Sequence, residues 1–399
     1  MPLVNIFDSP GDVLSTVLIW LLGAVISYRL GRILGLTTER VFFLFLWHSL
    51  LSVAFTYLTH VDGADAVNYY LSALNGEITW AIGTPAISVL AYLPAYGFNL
   101  SYIGANLLFS IFSMIGLLLI DAVLQDIRYS KRQLVRWVCA SLVFFPSVHF
   151  WTGAVGKDSL ALLGAGLIIW ALQSLKTRYV ALLFGLLIFV VVRPHLAIIF
   201  MSAYSLSTVL SRGTNRFLVG SILTLFGIGL YFLVPIFLTL VGLEDAGILE
   251  VFEYTTYRQS YEIGGSAISL QDMNFLQRNF AFLFRPTVLE IRNALDAITA
   301  VENTALMISF ALLIANFSIK KSLTFNAMQG RLILLIYGVA AAVVLGQLTY
   351  NLGLAARQKW MVIPFLWVAL AAYSRSRNFR QRVTHASPSQ TTPSAQQNL

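Results

Sequence analysis

Long runs of apolar residues, separated by short polar connections, recur from residue 13 to residue 373. Many approach one bilayer thickness at helical rise, and hydrocarbon tolerates backbone only where every amide is paired within its own helix or a closed barrel. With 58% hydrophobic and 11% charged residues, a soluble domain is excluded. The runs are continuous rather than alternating, which excludes a transmembrane barrel. The expectation is all-α: a polytopic transmembrane helical bundle. Cys139, the single cysteine, lies in an apolar run and rules out an internal disulfide or a cysteine-rich metal centre.

In chain order the expected spans cover residues 13–33, 41–59, 101–124, 135–151, 159–175, 180–192, 196–210, 217–240, 304–319, 332–352 and 360–373, eleven in all. They form one transmembrane unit over residues 1–375, with outer loops at 60–99 and 242–303. Residues 84–96 are too short to span and are broken by Pro85 and Pro94, so they are expected to lie at the outer interface as one or two helices, or to dip in and return. Residues 242–303 are expected to form an extracytoplasmic helical cap, with a tyrosine patch at Tyr254, Tyr257 and Tyr261. The Ser-, Thr-, Gln- and Pro-rich tail at 376–399 is expected to be disordered in the cytoplasm.

Charge orients the bundle. The first run is preceded by Asp8 and Asp12 and closed by Arg29 and Arg32, which lacks the basic start of a signal peptide and puts the N-terminus outside and the C-terminus in the cytoplasm. On that topology 18 of the 26 Lys and Arg fall in inner connections, whereas 15 of the 18 acids fall outside. The net charge of +8 therefore belongs to loops beside anionic lipid, and no nucleic-acid partner is implied.

Eight basic residues break the inside rule. Lys157, Arg193, Arg357 and Lys359 stand at three hairpin tips, and Arg258, Arg278, Arg285 and Arg292 stand in the cap. Each alone can snorkel to headgroups or pair with an outer carboxylate. Together, cations delivered by separate hairpins to outer-leaflet depth would repel one another unless an anion sat among them. Arginine geometry suits a phosphate or pyrophosphate. Asp158 is expected to neutralise Lys157 or to do no more than that, and His48 to be a core or interface residue.

Several sharper motifs fail. Gly153–Lys157 lacks the spacing of a phosphate loop, the five His residues show no i,i+4 ligand pair, and no Ser sits in a nucleophile elbow. Asp62 and Asp65 follow the second span; either can serve as a general base, or the two together can hold a divalent cation, or both can be solvated loop acids. Tyr69, Tyr70 and Trp151 can stack on sugar rings or anchor at the interface.

An Asp followed by Asn68-Tyr69-Tyr70, then Pro146-Ser147, Phe150-Trp151 and Gly156-Lys157-Asp158, then Arg193-Pro194-His195, then Asn351-x-Gly353-x-x-x-Arg357, resembles bacterial polysaccharide-assembly membrane proteins. These are the Wzy-type and EpsG-like repeat-unit polymerases of O-antigen and exopolysaccharide, within the broad C-type (GT-C) membrane glycosyltransferase class. Two features depart from the pattern: the acidic loop follows the second span instead of the first, and no Asp-Glu pair is present. Metal use is thereby left open, with Asp62 and Asp65 as its site.

The resemblance implies a polymerase at the bacterial inner membrane that takes a polyprenyl-pyrophosphate-linked saccharide donor and a saccharide acceptor on the extracytoplasmic face. Lys157, Arg193 and Arg357, with Arg258, Arg278 and Arg285 from the cap, would bind the pyrophosphate. Asp62, Asp65 or His195 would take the acceptor proton. Asp158, Tyr69, Tyr70, Trp151, Asn351 and Lys359 would support them. Other polysaccharide-assembly proteins are expected partners. A transporter or flippase of lipid-linked saccharide needs the same basic cavity without a base, and a non-catalytic envelope scaffold needs neither.

Overall fold

The computed structural model describes residues 3–128, 131–210, 216–240, 266–318 and 325–374. Among these the chain is helical with no strand, only two isolated bridges. The helices in order are α1 (Pro10–Ile33), α2 (Thr38–Asp62), α3 (Asp65–Leu74), α4 (Thr84–Tyr92), α5 (Tyr102–Arg128), α6 (Gln133–Ser141), α7 (Pro146–Thr152), α8 (Lys157–Ala171), α9 (Leu175–Val192), α10 (Pro194–Leu210), α11 (Arg216–Leu240), α12 (Phe275–Phe284), α13 (Ala294–Ala315), α14 (Phe325–Leu348), α15 (Leu352–Gln358) and α16 (Ile363–Tyr373). Seven stretches among the described residues are long and apolar enough to cross a membrane, so the chain is a multi-pass membrane protein.

Elements start where local chemistry satisfies the first free amides. Ser9 caps α1 in a reciprocal box with Asp12, and Asn274 caps α12 with Gln277 in the same way. Helix α1 presents Leu14, Leu18 and Leu22 outward, as a lipid-facing helix must, while α5 and α8 are buried over most of their length. The close approach of α5 and α8 depends on Gly116 and Gly166: a Cβ on either would collide with backbone of the opposite helix. At about 1.5 Å per residue the 15-residue α8 is shorter than the hydrocarbon, and its N-terminal residues begin inside the bundle instead of above it.

The eleven-residue α16 is apolar and buried throughout, and packs against α14 at the centre of the main core. At its C-terminal end Lys131 Nζ donates to the carbonyls of Ala372 and Ser374, at 3.0 and 2.6 Å. Arg40 forks onto Asp121 through Nε and Nη2, both at 2.6 Å, and reaches the Ala140 carbonyl, tying α2, α5 and α6 together.

Two expectations shift. The run expected at 135–151 is α6, a 3-10 turn at Leu142–Phe144 and α7, broken where Pro146 lacks an amide proton. The run expected from 304 begins at Ala294, with Asn293 as its cap, because Glu302 and Asn303 sit on its buried face. Residues 60–99 hold two short helices, α3 and α4, followed by a π-helical turn at Leu93–Gly97. Tyr254, Tyr257, Tyr261, Arg258 and the tail at 376–399 lie outside the described residues.

Candidate functional site

A polar seam runs through the apolar bundle and ends at the site. On α2, His48, Ser52 and Thr56 recur every fourth residue and so share one face. His149 of α7 donates through Nε2 to the Val143 carbonyl at 2.8 Å, and its Nδ1 shares a hydrogen bond with His48 Nδ1 at 2.9 Å. Ser113 of α5 donates to the Thr152 carbonyl at 2.7 Å, and Ser52 donates to the Gly153 carbonyl. Asn106 donates to Thr56 and accepts from the Val155 amide, each at 2.9 Å. Every one of these side chains is buried. The loop from Thr152 to Gly156 is thus held from two helices, and it delivers Lys157 and Asp158 at the start of α8.

There a cavity of about 160 Å³ opens, lined by Lys157, Asp158, Arg193, Arg357, Asp65, Tyr69 and Trp151 among others. Arg193, which ends α9, donates through Nη2 to Asp158 Oδ1 at 2.5 Å, with both residues buried. Arg357, near the end of α15, donates through Nη1 to Asp65 Oδ2 at 2.7 Å and lies 4.0 Å through Nε from Asp158 Oδ2. Lys157 Nζ donates to Thr84 Oγ1 at 2.7 Å, binding the start of α8 to the start of α4. Burial, with Asp65 adding to it, pushes the Tyr69 phenol up to about 12, so this side chain enters the cavity as a neutral hydroxyl.

The pairing is incomplete. Arg193 Nε and Arg357 Nε are buried without a hydrogen-bond partner. A buried guanidinium N–H without an acceptor costs free energy, and both belong to arginines that line this cavity.

Three of the expected outer cations therefore meet, and among the described residues the others do not. Asp158 engages Arg193 instead of Lys157. Lys359 is buried elsewhere, donating to Asn303 Oδ1 at 2.5 Å with Glu302 at 3.7 Å; Glu302 in turn accepts from the Ser147 amide at 2.8 Å. A lysine four positions before Ile363 thus serves packing, because α13 starts early enough to bring it an acid. Arg278 donates to the Leu270 carbonyl and Gln347, away from the cavity. Arg285 pairs with Glu290 and lines a second cavity of about 390 Å³, with Arg292, Asn293 and Asp296; Trp151 and opposite sides of α15 wall both cavities.

Of the expected bases, only Asp65 lines the smaller cavity. Asp62 is the exposed last residue of α2, and His195 stands in the first turn of α10 outside the lining. Asp62 and Asp65 therefore do not face one cavity, and no cluster of three or more His, Cys, Asp or Glu is present among the described residues. Tyr70 is buried, its hydroxyl donating to the Leu100 carbonyl at 2.9 Å. Asn351 caps α15, accepting from the Gly353 and Leu354 amides. Both are structural. Thr84, Gln358 and Glu302 join these networks with no preceding sign in the sequence, apart from an Asn293-x-x-Asp296 cap that marks where α13 begins.

No protein-family model, curated protein or solved structure matches the chain.

Proposed function

We propose that this chain is an integral membrane glycosyltransferase of the polymerase type, transferring a saccharide from a polyprenyl-pyrophosphate carrier to an acceptor saccharide on the extracytoplasmic face. The observation that carries the reading is the pair of unpartnered guanidinium atoms, Arg193 Nε and Arg357 Nε, on two arginines that line one cavity with Lys157. The cost of burying them without an acceptor supports a resident phosphate.

In this reading the diphosphate occupies the smaller cavity. An acceptor hydroxyl attacks the anomeric carbon, the bond from that carbon to the diphosphate oxygen breaks, and the hydroxyl proton passes to Asp65. Lys157, Arg193 and Arg357 stabilise the charge that grows on the leaving diphosphate. Eleven crossings, with the N-terminus outside and the C-terminus cytoplasmic in a bacterial inner membrane, would open this cavity to the outer leaflet.

Arg193→Gln and Arg357→Gln, expressed in cells deleted for the wild-type chain, should abolish polymer and leave single lipid-linked units on the outer leaflet. Units retained on the inner leaflet would instead identify a flippase. Unchanged polymer would leave only a scaffold role.

A further inference from the structure

The cavity holds three cations, Lys157, Arg193 and Arg357, against two carboxylates, Asp65 and Asp158. The two acids are held very differently. Asp158 and its partner Arg193 have side chains 11% and 8% exposed, whereas Asp65 stands at the mouth with its side chain 50% exposed. Arg357 is the one hydrogen-bond partner of the Asp65 carboxylate among the described residues, and it uses Nη1 alone while its Nε stays bare.

We infer that Asp65 is an internal competitor for the anion. It occupies Arg357 in the empty cavity, and a diphosphate oxygen displaces it there and frees it. The inference rests on the anion-site reading above. A half-exposed, single-contact pair is weak, and a phosphate can engage Nη1 and Nε of the same guanidinium together.

Charge supports the exchange. With Asp65 in place, three cations face two carboxylates and the cavity carries one net positive charge. With Asp65 turned out, three face one and the net is two positive, which matches a phosphate dianion. Asp65 opens α3. Once displaced, its side chain stands at the mouth, able to accept a proton. Donor binding and the appearance of the base become one event, so the base is withheld until a diphosphate is present.

The test is inorganic pyrophosphate binding, measured by calorimetry on the full chain in lipid nanodiscs. Asp65→Asn should bind about three- to ten-fold more tightly than wild type. Asp65→Ser, which retains a residue favoured at a helix start, should shift affinity in the same direction. Asp62→Asn removes an equal charge three positions away, outside the cavity lining, and should leave affinity unchanged. Unchanged or weaker binding by both Asp65 variants overturns the inference. So does equal tightening by Asp62→Asn, which would trace the effect to net charge. No binding by wild type removes the anion-site reading itself, a distinct failure. Farnesyl diphosphate in the bilayer separates the sources: tighter binding than pyrophosphate assigns a lipid-borne diphosphate, and equal or weaker binding assigns a free one.

Discussion

Arg193 Nη2 lies 2.5 Å from Asp158 Oδ1, joining the end of α9 to the first turn of α8 inside the bundle. Both side chains are nearly out of solvent, so each ion depends on the other. Asp158→Leu or Arg193→Met alone removes one member of a buried pair and should cost about 3–5 kcal/mol. The double variant Asp158→Leu with Arg193→Met should recover most of that. Thermal unfolding of the four proteins in one detergent measures it, and additive losses would show that the pair is not coupled.

The His48–His149 contact makes a second claim. Replacing His149 with Phe leaves the buried His48 Nδ1 without its hydrogen-bond partner and should cost about 1–3 kcal/mol. Because His149 and Ser52 both brace the loop after α7, His149→Phe and Ser52→Ala should each speed amide exchange at residues 153–156. Exchange confined to the distant α12 would mean that the seam does not brace the loop.

Glu290 gives a pH dependence. Burial works to raise its pKa, but the hydrogen bond from Arg285 and those from the Thr287 amide and hydroxyl outweigh it and hold the carboxyl below its usual value of 4.5. A depressed folded-state pKa contributes stability that is complete above the unfolded value and lost as pH falls through the folded one. Amide exchange around residues 285–293 should accelerate as pH drops below about 4.5, after correction for the intrinsic rate. Glu290→Gln should show faster exchange at neutral pH and no further acid step. An identical acid step in the variant would assign the titration to another group.

Much of the fold is legible in the sequence because hydrocarbon imposes one rule on every span: the backbone must bond to itself. The existence of α1, α2 and α5 follows from apolar length, which falls up to four residues short of their ends because it does not see the caps. The start of α13 does not, because Glu302 and Asn303 read as loop residues until Lys359 is seen to pair with the acid and donate to the amide. The convergence of Lys157, Arg193 and Arg357 is legible as an electrostatic problem, three charges at membrane depth that need company. Their partners are not. Which acid faces which base depends on helix rotation, so Asp158 goes to Arg193, Asp65 crosses 292 positions to Arg357, and Asp62, three residues earlier, falls outside the cavity. Tyr70 and Asn351 share motifs with cavity residues, yet Tyr70 serves a loop carbonyl and Asn351 caps a helix.

Lys157 donates to Thr84 Oγ1, so the start of α4 holds the lysine that lines the cavity. Thr84→Val removes that acceptor at nearly constant shape. It should weaken pyrophosphate binding by about two- to five-fold, the scale of one modest hydrogen bond. Calorimetry reads it directly, and tighter binding would mean that Thr84 holds Lys157 away from the anion.

The most direct measurement is a cryo-EM map of the full chain in nanodiscs with a lipid diphosphate bound. The account predicts phosphate oxygens within about 2.7–3.2 Å of Arg193 Nε and Arg357 Nε, with the Asp65 carboxylate withdrawn from Arg357. A diphosphate resolved instead beside Arg285 and Arg292 in the larger cavity, with both Nε atoms still bare, would contradict it.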